Sequence, residues 1–112
     1  MGILGVLAET VAFARATGVD PAKFLETIEG GPLGLPYAQI KGKMMVEEHF
    51  PTSFSARLAR KDAGLVLAAA EAHGLPMEIA AAVAARFDEA IAAGSGEEDM
   101  AAVYEAARPD RG

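Results

Sequence analysis

Apolar residues recur every three or four positions along most of this chain, which is the spacing of one face of an α-helix. Alternation of apolar and polar residues never persists over the length of a strand, and alanine is the commonest residue. Glycine and proline divide the pattern into about six segments. We therefore predict an all-α fold of about six helices, with residues 1–112 forming one domain.

Local signals set the ends of the predicted helices. Asp20 and Pro21 are typical of an N-cap and a first helical residue, whereas Gly18 and Gly74 are typical of helix C-termini. The stretch from Gly30 to Pro32 predicts a turn. The predicted helices cover residues 2–17, 21–29, 36–47, 54–73 and 76–93, and a last helix follows residues 97–99 and ends near Ala107.

The first predicted helix is apolar on more than one side. One stripe contains Leu4, Leu7, Val11 and Ala14, and a second set contains Ile3, Val6 and Phe13. Such a helix is either buried on all sides or has lost a cover that another part of a larger protein supplies. The pattern alone leaves both interpretations open.

Composition narrows the class of protein. The chain is 52% apolar and 23% charged, so it can build a core without a metal or a disulfide. It has no cysteine, which excludes disulfides and cysteine nucleophiles. Its net charge of −6 disfavours binding to nucleic acid or to an anionic membrane. No segment has the length and apolar character of a membrane span or a signal peptide, so we expect a cytoplasmic protein.

Common kinds of catalytic and metal site find little support. His49 and His73 lie outside any nucleophile motif, and His73 precedes a glycine at a helix end, where a cation suits the helix dipole. Glu47, Glu48 and His49 are adjacent and so do not share a helix face. The acidic residues 97–99 suit a helix N-terminus. We assign no catalytic residue and no metal ligand.

One segment carries an unusual combination of side chains. At 100° per residue, Phe54, Leu58, Lys61, Asp62 and Leu65 share one helix face. The apolar members of that face should point inward, and a charged pair among them is unexpected because buried charges are costly. The functional interpretation is a cleft face with the charged pair aimed at a ligand.

A structural interpretation of the same segment also stands. Lys61 would extend past the edge of the core, with Asp62 as its neighbour or as a partner of the helix dipole. Gly64, in the middle of the helix, costs about 1 kcal/mol relative to alanine. We therefore expect that something has to approach the helix backbone closely there.

The pattern F-x-x-x-L-x-x-K-D-x-G-L, from Phe54 to Leu65, resembles the signature of the β-hydroxyacid dehydrogenases. This family includes 3-hydroxyisobutyrate dehydrogenase, tartronate semialdehyde reductase and related glyoxylate or succinic semialdehyde reductases. Other segments follow in the family's order, and the resemblance covers nearly the whole chain. These segments are Ala8-Glu9, Gly18-Val19-Asp20, Ala70 to Pro76, and Ala90 to Gly96 followed by Asp99 and Ala101.

The resemblance implies a two-domain enzyme. A Rossmann domain binds NAD or NADP, and an all-helical C-terminal domain, like that of 6-phosphogluconate dehydrogenase, closes the cleft and forms the dimer. This chain resembles the helical domain alone. The family's glycine-rich loop is absent from it, and the family's catalytic lysine would lie on a helix that begins upstream of Met1.

The resemblance also implies roles for three residues. Lys61 would contact the cofactor or its phosphate, and Phe54 and Asp62 would line the substrate cleft. The chain alone would bind no cofactor and would be inactive. In the intact enzyme it would join a Rossmann-domain partner and contact a small hydroxy acid.

Two other functions remain open on the sequence. One is a non-enzymatic helical module for oligomerisation or binding, which would keep the scaffold without the catalytic half. The other is a helical bundle that binds a small molecule unaided, with Lys61 and Asp62 as its convergent polar groups. The apolar first helix predicts a homodimer for the dehydrogenase domain and for the non-enzymatic module.

Overall fold

The computed structural model describes residues 2–109; Met1, and with it the expected upstream continuation of the first helix, lies outside that range. The elements are α1 (Gly2–Ala16), α2 (Pro21–Ile28), α3 (Pro36–Glu47), α4 (Ala56–Ala72), α5 (Glu78–Ala90), a π-turn (Ile91–Ser95) that continues α5, and a 3₁₀ helix (Met100–Ala106). Counting the π-turn with α5 gives six helices. The predicted all-α fold is confirmed.

The predicted helix ends are largely confirmed. Asp20 is the N-cap of α2, and its carboxylate accepts a hydrogen bond from the amide of Ala22 at 3.0 Å. Gly18 and Gly74 adopt φ angles of +80° and +66°, which an L-residue with a side chain rarely adopts. His73 is the C-cap of α4.

Two helix starts differ from the prediction. α4 begins at Ala56 rather than at residue 54, because Ser55 is its N-cap and has an extended conformation. α5 begins at Glu78, two residues after Pro76. At its other end the chain loosens into the π-turn, which breaks at Gly94 with a φ of +102°.

The core forms around α1, which contacts α2, α3, α5 and the 3₁₀ helix. The stripe of Leu4, Leu7, Val11 and Ala14 is buried, whereas Ile3, Val6 and Phe13 are exposed. The interpretation of a helix buried on all sides is therefore wrong, whereas that of a lost cover stays a prediction. Large side chains of other elements complete the core, among them Met45, Phe50, Phe87 and Tyr104.

The predicted orientation of α4 is wrong. Its buried side chains are Ala56, Ala59, Ala63 and Ala70, and they pack against α5 and the 3₁₀ helix. The face of Phe54, Leu58, Lys61, Asp62 and Leu65 points outward. Small side chains let helices approach closely, so the alanine side forms the contact although leucine is the more apolar residue.

The close approach expected at Gly64 is not made by another element of residues 2–109. Within residues 2–109, the atom near a Cβ at this position is Nη1 of Arg60, at 3.1 Å, which belongs to the preceding turn of α4. Close packing at glycine occurs elsewhere: a Cβ on Gly5 would lie 3.0 Å from Cγ2 of Val83, and one on Gly42 would lie 2.7 Å from Cδ2 of Leu25.

None of the helices in residues 2–109 combines the length and the apolar character needed to cross a bilayer.

Candidate functional site

The outer side of α4 presents apolar and charged side chains together. We call the set of Phe54, Leu58, Lys61, Asp62 and Leu65 the α4 face. All five side chains are exposed, and Leu65 keeps 62% of its surface accessible. Because the two charged groups are hydrated, the desolvation cost that made this pair unexpected does not arise.

The N-terminus of α4 is held by the chain that precedes the 3₁₀ helix. The amide of Ala56 donates to the carbonyl of Glu98 at 2.8 Å, and the amide of Arg57 donates to that of Gly96 at 2.9 Å. The hydroxyl of Ser55 accepts from the amide of Leu58 at 3.2 Å. Since the first amides of a helix have no partner within it, these contacts fix where α4 begins.

Charged side chains on α4 fall into two groups. Arg57 pairs with Glu97 at 2.7 Å, and Arg60 pairs with Asp88 at 2.8 Å. Within the described part of the chain, no ion pair or side-chain hydrogen bond engages Lys61 or Asp62. An ammonium group and a carboxylate without partners there are suited to bind an anionic group and a hydroxyl. Lys61 and Asp62 are exposed on α4, and Phe54 is exposed in the loop before its N-cap, Ser55.

Sequence reasoning missed a buried ion pair beneath the start of α4. Nζ of Lys41 in α3 lies 2.9 Å from Oδ2 of Asp99, and both side chains are almost fully buried. Oδ2 also accepts from the amide of Ala101 at 3.0 Å. Oδ1 accepts from the amides of Ser53 and Phe54, at 3.1 and 3.2 Å, and from the Ser53 hydroxyl at 3.0 Å.

The surroundings of Asp99 favour its charged form. Burial alone would raise the pKa of this carboxyl group, but the amide of Ala101, the Lys41 ammonium and the amides of Ser53 and Phe54 lower the pKa from 3.8 to about 2. Burial raises the pKa of Tyr37, and the negative charge of Asp99 raises it further. The Tyr37 ring lies 5.8 Å from Nζ of Lys41.

The helical period contained a signal for Lys41. Ala38, Lys41, Gly42 and Met45 follow the spacing of a buried helix face, and all four are buried. A lysine in such a stripe requires a partner, and Asp99 supplies it from 58 positions away. The prediction that residues 97–99 suit a helix N-terminus is confirmed for Asp99, which is the N-cap of the 3₁₀ helix.

A second exposed surface lies on α1. We call the set of Ile3, Val6, Thr10 and Phe13 the α1 face; it contains no charged residue, and Phe13 is 71% exposed. Three of its members, Ile3, Val6 and Thr10, form one wall of an apolar groove of about 390 Å³. The groove is lined by side chains of α1, α2 and α3 and of the loop between the last two, including Phe24, Ile28, Leu33 and Leu35.

Other candidate residues are dispersed. His49 is exposed in the loop after α3, and Glu48 is engaged with Arg108 at 3.5 Å. Among residues 2–109, no three His, Asp or Glu side chains converge well enough to hold a metal ion.

Comparison with known proteins gives this arrangement a context. A family model described as "NAD-binding of NADP-dependent 3-hydroxyisobutyrate dehydrogenase" matches residues 2–107. The chain belongs to the β-hydroxyacid dehydrogenase family. Members of this family use NAD or NADP.

Individual relatives match nearly the whole of this chain. The chain is 31% identical, over 93% of its length, to glyoxylate/succinic semialdehyde reductase 2, chloroplastic, of Arabidopsis thaliana. It is 27% identical, over 92% of its length, to the cytokine-like nuclear factor N-PAC of Homo sapiens. A 3-hydroxyisobutyrate dehydrogenase from Salmonella typhimurium shares its fold, with a TM-score of 0.84 and 24% identity over 92% of the chain.

The chain accounts for a minority of each of these proteins. It spans 29% of the plant reductase, 19% of N-PAC and 36% of the Salmonella enzyme. The exposed Lys61 ammonium fits a cofactor phosphate, because within the described residues no carboxylate neutralises it. The sequence has no glycine-rich phosphate loop, so these residues fit one edge of a dinucleotide and not a complete binding site.

Proposed function

We propose that this chain acts as the C-terminal helical domain of an NAD(P)-dependent β-hydroxyacid dehydrogenase of the 3-hydroxyisobutyrate dehydrogenase type. The observation that carries the proposal is the α4 face, where Lys61 and Asp62 have no ion-pair partner within residues 2–109. A surface helix seldom combines exposed aromatic and leucine side chains with such charges unless the surface is used. Membership of the family supplies the reaction class.

In this proposal the α4 face forms one wall of the active-site cleft. The Lys61 ammonium binds a phosphate or another anionic part of the cofactor. Asp62 accepts a hydrogen bond from the substrate or the cofactor ribose, and the Phe54 ring excludes water on the substrate side. The nicotinamide, when bound, exchanges a hydride with the hydroxyl-bearing carbon of a small hydroxy acid.

The proposal assigns no catalytic base to this chain. Lys61, Asp62 and Phe54 bind and orient, whereas by family resemblance the proton of the substrate hydroxyl passes to a lysine outside residues 1–112. The chain by itself is therefore expected to be inactive. A separate nucleotide-binding domain that carries that lysine would complete the enzyme.

Mixing the two parts tests this proposal. The 112-residue chain is added to a nucleotide-binding half from the Salmonella enzyme, and nicotinamide absorbance is followed with a panel of 2- and 3-hydroxy acids. Turnover that requires both parts is the expected result. If the nucleotide-binding half is folded and holds cofactor but the mixture stays inactive at saturating concentrations of the helical chain, the proposal fails.

We also propose that the α1 face forms a homodimer. Two copies with a net charge of −6 repel each other, and the α1 face is an exposed surface without charge that can meet its own copy. The exposed Phe13 next to this apolar groove can make the surface self-complementary across a two-fold axis, with each Phe13 seated in the partner's groove. Light scattering should give twice the chain mass, and a monomer throughout the micromolar range would exclude this dimer.

The similarity to N-PAC favours one alternative function. That relative's name describes a nuclear factor and not a dehydrogenase, although it matches 92% of this chain. In this alternative the helical domain is an oligomerisation module that catalyses nothing. The α1 face would then remain essential, whereas substitutions on the α4 face would be without effect.

A further inference from the structure

The loop that leads into α4 places Phe54 at the edge of the proposed cleft, and this loop has no regular secondary structure. Its residues 50–55 pass over the end of α3 and reach the N-cap of α4. A loop of this kind is mobile unless its backbone groups are bound elsewhere. The contacts of this loop therefore decide where Phe54 lies relative to Lys61.

Both backbone polar groups of Phe54 are bound by two consecutive residues. The amide of Phe54 donates to Oδ1 of Asp99 at 3.2 Å, and its carbonyl accepts from the amide of Met100 at 2.7 Å. The amide of Asp99 in turn donates to the carbonyl of Phe50 at 3.2 Å. With both groups fixed, the direction in which the Phe54 side chain leaves the backbone is also fixed.

The Asp99 carboxylate serves three segments of the chain at once. It accepts from the loop at Ser53 and Phe54, from the 3₁₀ helix at Ala101, and from α3 at Lys41. A neutral side chain of the same shape cannot do this, because an amide has one acceptor oxygen and would turn its two N–H groups toward one set of donors. Only a charged carboxylate satisfies all of them.

Lys41 allows this carboxylate to stay charged in the interior. Without the ammonium 2.9 Å away, a fully buried carboxylate would be strongly disfavoured. A packed apolar pair stabilises a fold as well as a buried ion pair does or better, so stability alone gives little reason for charges here. What charges provide is directional hydrogen bonding at a defined place.

We propose that Lys41 and Asp99 are positioning residues of the active site: the buried carboxylate holds the Phe54 backbone and thereby fixes the aromatic edge of the cleft relative to Lys61. This inference rests on the proposed function. In this proposal neither Lys41 nor Asp99 touches the substrate or the cofactor. Their effect on the reaction passes through the backbone of Phe54.

Amide hydrogen exchange on the 112-residue chain tests whether Asp99 holds the backbone of Phe54. In the D99N variant, exchange at Ser53 and Phe54 should accelerate about tenfold or more relative to Val11 in α1, because the side-chain amide turns its oxygen to Lys41 and Ala101. The matched control is D88N, which alters an exposed carboxylate and should leave the ratio unchanged. An equal acceleration at all three amides in D99N would overturn the proposal.

Kinetics of the mixed enzyme test whether Lys41 and Asp99 position Phe54 for the reaction. D99N should raise the KM for the hydroxy acid about tenfold while kcat changes less than about threefold, with rates corrected for the folded fraction. K41R keeps the charge and should have a KM close to that of the wild type. K41M removes the charge and should raise the KM. A KM equal to wild type in folded D99N would overturn the proposal while leaving the proposed function intact.

Two further controls separate the possible failures. If D99N does not fold, S53A removes one donor to the carboxylate and keeps the ion pair, and it should raise exchange at Phe54 and the KM in the same direction. If the mixture of wild-type chains is inactive, the proposed function fails and the positioning role fails with it. The exchange ratios then still show whether Asp99 holds the loop.

Discussion

The α1 face and the α4 face both expose large apolar side chains, but they differ in charge and in what lies beneath them. The α1 face carries no charge and is backed by the buried leucines and valine of the same helix. The α4 face contains Lys61 and Asp62 and is backed by alanines. An uncharged apolar surface suits another protein surface, whereas partnerless charges among apolar groups suit a small polar ligand. Similar exposure therefore leads to two different proposed uses.

The largest expected effect is that of removing the buried Lys41–Asp99 ion pair beneath the start of α4. Lys41→Met leaves the Asp99 carboxylate buried without a countercharge, which should lower the free energy of unfolding by about 3–5 kcal/mol. Urea denaturation followed by circular dichroism measures this change. Val46→Met, a substitution without charge in the same helix, is the control and should cost far less. A loss below about 1 kcal/mol in Lys41→Met would show that the ion pair is dispensable.

Charge on the α1 face should separate the proposed dimer. Val6→Glu places two carboxylates in an apolar interface, one from each copy. It should raise the dissociation constant of the dimer at least about 100-fold. Val66→Glu is the matched control, because it makes the same change at an exposed position of α4. Sedimentation velocity distinguishes the variants. Equal dissociation constants for the two variants would show that the α1 face is not part of the interface.

Loss of the Lys61 charge should affect the reaction and leave the fold intact. In the mixed enzyme, Lys61→Ala should raise the KM for the cofactor about tenfold to a hundredfold, which is the usual effect of losing a hydrogen bond from a charged group. Lys43→Ala, at an exposed position of α3, should keep the wild-type value. Cofactor titration under steady-state conditions provides the measurement, and an unchanged KM in Lys61→Ala would contradict the assigned role.

Acid should weaken the fold through Asp99. The pKa of Asp99 is about 2 in the folded chain, against an ordinary value of 3.8 for an aspartate. The stabilisation that the charged carboxylate contributes is therefore complete above pH 3.8 and is lost as the pH falls toward 2. The loss amounts to roughly 2 kcal/mol. Thermal or urea unfolding between pH 5 and pH 2 should show this decline in the wild type. D99N lacks the titrating group, so an equally steep decline there would assign the effect to other carboxylates.

Helix ends were predictable because their signals are local. Asp20 before Pro21, and glycine at 18 and 74, act through hydrogen bonds and φ angles within a few residues, so the sequence contains all that is needed. The fold class followed from these ends and from the helical period. The helical period also grouped the α4 face, and the family resemblance then assigned roles to Phe54, Lys61 and Asp62.

The orientation of α4 could not be predicted from hydrophobicity. One side of that helix carries alanines and the other carries leucines, so a ranking by apolar character selects the wrong side. The closeness of the helix contact decides the matter, and it depends on how α5 and the 3₁₀ helix are placed. The Lys41–Asp99 pair is likewise a tertiary contact: the helical period places Lys41 in a buried stripe, but no local pattern specifies Asp99 as its partner.

The alanine side of α4 limits how a ligand on the α4 face can influence the rest of the molecule. Alanine has no side-chain rotamers, so this contact has no alternative packing into which it could switch. Interfaces that transmit signals depend on two discrete arrangements of their side chains, and this one provides a single arrangement. Helix α4 therefore moves as a rigid unit, and the Asp99 carboxylate, which binds the loop before its N-cap, offers one link between its outer surface and the interior.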